Sequence, residues 1–149
     1  MRAVIQRVDR ASVRINHHEL SSINQGVLVL LGVEKNDTEA DADYILDKTI
    51  HLRIFEDDQN KMNRSVLDMN GSMMVVSQFT LLGNCIKGRR PSFTAAEEPA
   101  IAKKLYEYFI KQAKDKVKLL ATGKFQEMMK IELVNNGPIT ILLDSRKVF

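Results

Sequence analysis

Residues 11–15 alternate cleanly, with Ala11, Val13 and Ile15 on one face of a strand and Ser12 and Arg14 on the other. Residues 1–8 are rich in Val and Ile and alternate in part, so they predict a preceding strand, with Asp9-Arg10 as a tight connection. Val27-Leu28-Val29-Leu30-Leu31 has no polar alternation and predicts a strand buried on both faces, bracketed by Gly26 and Gly32. The period then becomes helical. Thr38 and Asp41 have capping-box spacing, early acids suit the positive end of the helix dipole, and Ala42, Ile45, Leu46, Thr49 and Ile50 form one stripe. Residues 52–55 read as a short strand, residues 56–60 as a turn or hairpin tip, and Ser72–Ser77 as a strand burying Met73, Met74, Val75 and Val76. Residues 79–93 form the longest irregular stretch, a length that in compact domains usually marks function or mobility. Pro99 suits the first position of a second helix, whose buried side would comprise Ile101, Leu105, Tyr108, Phe109 and Gln112. Residues 117–121 read as another strand, and residues 129–134 and 139–143 as neighbours that pair across Asn135-Asn136-Gly137-Pro138. The sum is an α+β fold, a mostly antiparallel, barrel-like sheet with two main helices, in one domain over residues 1–149.

Composition adds exclusions. The 149 residues, 44% hydrophobic and 28% charged, suffice for one packed core without disulfides or a structural metal. A single cysteine, Cys85, excludes an internal disulfide framework and a Cys-rich zinc site. No apolar run approaches bilayer-spanning length and no secretory pattern opens the chain, so a cytoplasmic protein with no membrane partner is expected. Lys and Arg exceed Asp and Glu by 22 − 19 = +3, but unevenly. Six acids face two lysines over residues 34–48, eight lysines face three acids over residues 101–130, and Lys87, Arg89 and Arg90 fall within four positions. Such a basic face suits phosphates, and equally the solvated side of a helix.

Conventional side-chain chemistry is missing. His17 and His18 sit in a polar turn without further ligands at metal spacing, and His51 ends the first helix. Cys85 has no neighbouring base. No Walker loop, dinucleotide fingerprint or Gly-x-Ser-x-Gly elbow occurs. Neither metal nor cofactor is expected, and any catalysis would rest on backbone hydrogen bonds, positioning or a group brought by the substrate. Two segments could supply backbone groups. Ser77-Gln78-Phe79-Thr80 follows a buried strand where the chain leaves the sheet, so its N–H groups could form an oxyanion hole; the same residues also read as a core plug and a turn cap. Asn135-Asn136-Gly137-Pro138-Ile139-Thr140 reads as an ordinary turn or, with a cis Gly137-Pro138 bond, as two carbonyls aimed at one ammonium group.

At these two segments the chain resembles the D-aminoacyl-tRNA deacylases. The likeness runs nearly end to end, from Met1-Arg2-Ala3-Val4-Ile5-Gln6-Arg7-Val8 through Leu52-Arg53-Ile54-Phe55 and Lys87-Gly88-Arg89-Arg90-Pro91-Ser92-Phe93. Ser-Gln-Phe-Thr at residues 77–80 paired with Asn-x-Gly-Pro-x-Thr at residues 135–140 is highly specific; either alone is weak. The resemblance implies a homodimer of small barrel-like subunits. It implies hydrolysis of the ester joining a D-amino acid, or glycine mischarged on tRNA-Ala, to the 3′ end of aminoacyl-tRNA. A cis Gly137-Pro138 would reach across the dimer and bind the substrate's α-ammonium with its carbonyls, so that an L side chain would clash. By the same resemblance Arg7 orients that motif and Asn135 belongs to it. Ser77, Gln78, Phe79 and Thr80 would line the pocket floor, with Met129 as a pocket methionine or plain core packing. The Phe79 N–H would hold the oxyanion, Thr80 is a candidate nucleophile without a base, and the tRNA 2′-OH would assist. Relatives usually carry Phe-Gly-Ala where this chain has Phe125-Gln126-Glu127, and an Ala-Asp-Thr-Arg-like run where it has Gly83-Asn84-Cys85-Ile86. Two rivals stay open. One is an RNA-binding module without catalysis, against which the 6% aromatic content and absence of Trp count. The other is a relative acting on L-aminoacyl-tRNA, which a trans Gly137-Pro138 would imply.

Overall fold

The computed structural model describes residues 1–148. Its organising strand is β1 (Arg2–Ile15), which runs unbroken through Asp9 and Arg10, where the sequence pattern placed a turn. That polar pair instead marks a shift in pairing register, and the strand changes layers there. Ala3 and Ile5 pack into the core beneath the helices, whereas Val8, Ala11 and Val13 pack into a second core inside the sheet. β2 (His18–Ile23) pairs antiparallel with the C-terminal half of β1, and β3 (Gly26–Gly32) with its N-terminal half.

The chain then passes through α1 (Glu39–His51) and a small hairpin, β4 (Phe55–Glu56) with β5 (Met62–Arg64), to β6 (Ser72–Ser77), which lies parallel to β3. Only Phe55 of the expected strand at residues 52–55 enters a ladder. Val27, Val29, Met73 and Val75 face the helix-covered core while Leu28, Met74 and Val76 face the inner one. Burial on both sides is why neither strand alternates. A 3-10 turn (Phe79–Leu82) and α2 (Pro99–Lys114) lead to β7 (Leu119–Thr122), parallel to β6. β8 (Lys130–Asp144) then returns to β1. The sheet is mixed, antiparallel around β1 and parallel across β3, β6 and β7. Ser21 Oγ on β2 donates to the Thr122 carbonyl on β7 at 2.8 Å, which draws the sheet into a nearly closed barrel.

On α1 the Thr38 N–H donates to Asp41 Oδ2 at 2.8 Å, and the predicted stripe is the buried one. Burial pushes the Asp41 carboxyl up, but hydrogen bonds from Thr38 and Ser145, with the nearby N-terminal charge, hold the group below the usual range. On α2 the expected face is corrected. Ala102, Leu105, Tyr106, Phe109 and Ala113 are buried, while Ile101 is 48% exposed. The Tyr106 hydroxyl donates to the Val75 carbonyl at 2.9 Å, so the tyrosine is buried without an orphaned polar group.

The last strand corrects a second expectation. Residues 129–134 and 139–143 do not pair with each other. β1 is long enough to template both halves of β8: Arg14 to Lys130 at one end, Arg2 to Asp144 at the other. Between Gln6↔Thr140 and Val8↔Asn135, the four residues 136–139 stand opposite Arg7 alone, so they bulge out of the ladder.

Candidate active site

The bulge is the more heavily fastened of the two segments. The Asn135 amide closes it from within, its Oδ1 accepting the Ile139 N–H at 3.1 Å and its Nδ2 donating to Thr140 Oγ1 at 3.2 Å. These bonds give the Asn-x-Gly-Pro-x-Thr spacing a mechanical meaning, and they leave Asn135 engaged with the bulge itself. From outside, buried Arg7 donates through Nε to the Asn136 carbonyl at 3.3 Å and through Nη1 to the Ile54 carbonyl at 2.6 Å. Glu56 Oε1 lies 3.9 Å from Arg7 Nη2, and the Phe55 ring centre 6.0 Å from the guanidinium carbon. The Asn136 side chain donates to Asp9 Oδ1 at 2.6 Å. The Gly137-Pro138 bond is cis. Gly137 has φ +113°, and a Cβ there would sit 2.9 Å from Arg7 Nη2. Gly137 and Pro138 are nevertheless exposed, so the fastened backbone faces away from its own subunit.

The second segment is held by backbone. Ser77 ends β6 level with Leu31, and the Gln78 N–H donates to the Leu31 carbonyl at 2.7 Å. The chain then tightens into the 3-10 turn, whose first amide, that of Phe79, has no intrahelical acceptor. No hydrogen bond from this N–H occurs among the described residues. The Phe79 ring is 57% exposed and meets Phe93 edge-on at 5.1 Å. Gln78 Nε2 donates to Thr80 Oγ1, and no histidine, lysine or carboxylate among the described residues is hydrogen-bonded to that hydroxyl. The Met129 sulfur accepts the Lys124 N–H at 3.3 Å and packs where Gly123 approaches Val76, one residue before Ser77. Gln126 and Glu127 are exposed, Glu127 pairing with Lys124 at 3.0 Å.

One subunit does not bring the two segments together. The register runs Ala3–Leu31–Ser77 across the sheet at one level and Arg7–Val27–Met73 at the other. Four residues along and three strands across separate the bulge from Ser77, roughly 15–20 Å. Among the described residues no group of three His, Cys, Asp or Glu side chains could hold a metal, and no helix is long and apolar enough to cross a membrane. His51 Nδ1 lies 2.9 Å from the Asp47 carbonyl. The sequence reading missed Ile54, Asp9 and Asn136 as fasteners and Phe93 as a floor partner. Ile54 and Asp9 lie 47 and 127 residues from the groups they hold, and no local pattern announces such contacts.

Comparison with known proteins identifies the family and the fold. The family profile for D-Tyr-tRNA(Tyr) deacylase matches residues 4–144. A D-aminoacyl-tRNA deacylase of Syntrophus aciditrophicus (strain SB) is 57% identical over 149 residues, and one of Clostridioides difficile (strain 630) is 53% identical, each covering all of both chains. Among solved structures, c-Myc DNA Unwinding Element Binding Protein superposes with a TM-score of 0.92 at 37% identity, covering 97% of this chain and 98% of that one. A probable eukaryotic D-amino acid tRNA deacylase shares the fold at a TM-score of 0.81 and 16% identity, covering 95% of this chain and 97% of that one.

Proposed function

The chain belongs to the D-Tyr-tRNA(Tyr) deacylase family, and we propose that it performs its reaction with backbone groups from two subunits. It is a hydrolase acting on the ester bond of D-aminoacyl-tRNA. In the proposed scheme the Gly137 and Pro138 carbonyls of one subunit receive the substrate's α-ammonium in the pocket of the other. An L side chain meets that clamp, whereas a D side chain, or the bare α-carbon of glycine on tRNA-Ala, does not. Water adds to the ester carbonyl carbon, and the Phe79 N–H stabilises the oxyanion that forms. Collapse expels the ribose 3′ oxygen, with the adjacent 2′-OH assisting proton transfer. Ser77 and Gln78 line the floor, Met129 its wall, and Arg7 and Asn135 hold the clamp in place. Thr80 receives the Gln78 amide and is not the nucleophile, because no base activates it. No cofactor is needed, and the cytoplasm, where charged tRNA is found, is the place of action.

The observation that carries the two-subunit scheme is the separation of the segments together with the outward exposure of a heavily fastened bulge. A second copy is also favoured by the strand that bears it. Among the described residues β8 pairs only with β1, leaving a 15-residue edge that carries exposed Leu133 and Leu142.

The test is deacylation of one tRNA charged with D-tyrosine or L-tyrosine, with and without EDTA. Release of the D form only, indifferent to EDTA, is expected, with Thr80→Ala within about threefold of the unaltered protein. Equal release of both forms would sink the clamp. Salt-dependent tRNA binding without release would favour a binding module. A collapse in Thr80→Ala with folding and binding intact would restore the nucleophile.

A further inference from the structure

The scheme above leaves the hairpin at residues 84–92 without a task. Its base is a two-bond bridge in which Asn84 and Ser92 exchange N–H···O bonds of 2.8 and 2.9 Å. Asn84 Oδ1 accepts the Ile86 N–H at 2.9 Å and shapes the turn that follows. The next residue after the bridge, Phe93, is the one that meets Phe79, so the hairpin grows directly from the reacting segment. Lys87, Arg89 and Arg90 are all exposed, and among the described residues none makes a hydrogen bond or ion pair. Three unneutralised cations in four positions repel one another and gain nothing inside the subunit. A polyanion supplies the missing counter-charge.

The lysines at the C-terminal end of the second helix are the weaker candidates on position. Lys103 already pairs with Glu107. α2 ends at Lys114, just before β7, and β7 begins with Leu119 level with Ser72. That is the end of β6 remote from Ser77, roughly 16 Å of strand away.

Resting on the deacylase reading, we propose that residues 84–92 are a phosphate clamp for the single-stranded 3′ tail of the tRNA. Lys87, Arg89 and Arg90 hold the backbone phosphates just upstream of the terminal adenosine while its ester lies against Phe79. Contacts of this kind fix register and are blind to base identity.

The test compares the unaltered protein, a Lys87→Gln/Arg89→Gln/Arg90→Gln variant and a Lys111→Gln/Lys114→Gln control. The substrates are D-tyrosyl-tRNA, a D-tyrosylated single-stranded oligonucleotide of tRNA 3′ sequence, and D-tyrosyl-adenosine. The hairpin variant should lose about tenfold or more in kcat/KM at low salt on the first two substrates. Its log–log salt dependence should be shallower by about 2, from 0.7 per phosphate contact. Hydrolysis of D-tyrosyl-adenosine should be unchanged. Loss on intact tRNA alone would move the contact to the acceptor duplex and overturn the proposal. Loss on D-tyrosyl-adenosine as well would make the hairpin pocket wall, and equal loss in the helix control would replace a clamp with diffuse attraction. Either result overturns it, as would no loss at all. If the unaltered protein hydrolysed none of the three, the deacylase reading would fall first and the clamp with it.

Discussion

The bulge at residues 136–139 and the floor at residues 77–80 are both backbone devices, yet they are built in opposite ways. The bulge is held by side chains: Arg7 joins the Asn136 and Ile54 carbonyls, Asn136 donates to the Asp9 carboxylate, and Asn135 accepts the Ile139 N–H. The floor is held by the end of a parallel ladder and a helical turn, and its side chains are half-buried or exposed. A segment fastened by side chains is sensitive to substitution at its fasteners. One fastened by its ladder tolerates new side chains but not the loss of an amide.

That contrast can be broken most sharply at Phe79. Proline fits the first position of a helical turn; it removes the N–H that an oxyanion would use together with the ring, whereas alanine removes the ring alone. Phe79→Pro should lose about 10²–10³ in kcat, whereas Phe79→Ala, which keeps the amide, should stay within about tenfold. An alanine variant as poor as the proline one would move the importance from the amide to the ring. The next effect belongs to the bulge. Gly137→Ala places a Cβ at φ +113°, 2.9 Å from Arg7 Nη2. A loss of about 1–2 kcal/mol in stability is expected, with D-tyrosyl-tRNA hydrolysis falling more than tenfold and D/L discrimination narrowing. Full discrimination in a folded variant would show the bulge to be less constrained than its fasteners suggest. The smallest effect lies outside both segments. Gln126 adopts φ +60°, a left-handed conformation that glycine takes up without strain. Gln126→Gly should raise stability by up to about 1 kcal/mol in thermal unfolding with activity within twofold. Destabilisation instead would mean that the Gln126 side chain supports the fold.

Much of this molecule was legible in its residues. The α1 face, both doubly buried strands and the Pro99 helix start follow from local pattern, which depends on neighbours a few positions apart. What failed depends on distance in sequence. Asp9-Arg10 and Asn135-Pro138 carry turn composition, but each sits within a continuous strand because β1 and β8 template one another over their whole length. On α2, large apolar residues point to Ile101 and Tyr108, while the buried face includes Ala102 and Ala113, whose small size a periodicity reading undervalues. The two motifs were visible as spellings. Their fastening was not, since Asp9 and Ile54 acquire their roles only when the fold is formed.

The pairing of Arg2 with Asp144 has a consequence for how the protein is made. β3 can join β1 as soon as residue 32 has been synthesised, but the other side of β1 waits for the last strand. At about 5–20 residues per second that interval is roughly 6–22 s, during which a nascent strand shows an open hydrogen-bonding edge. Arg2, Arg10 and Arg14 stand along that strand, and charges of this kind discourage a growing chain from accepting a neighbour's strand in place of its own. The arginines therefore lie where charge disfavours strand addition to an unfinished sheet.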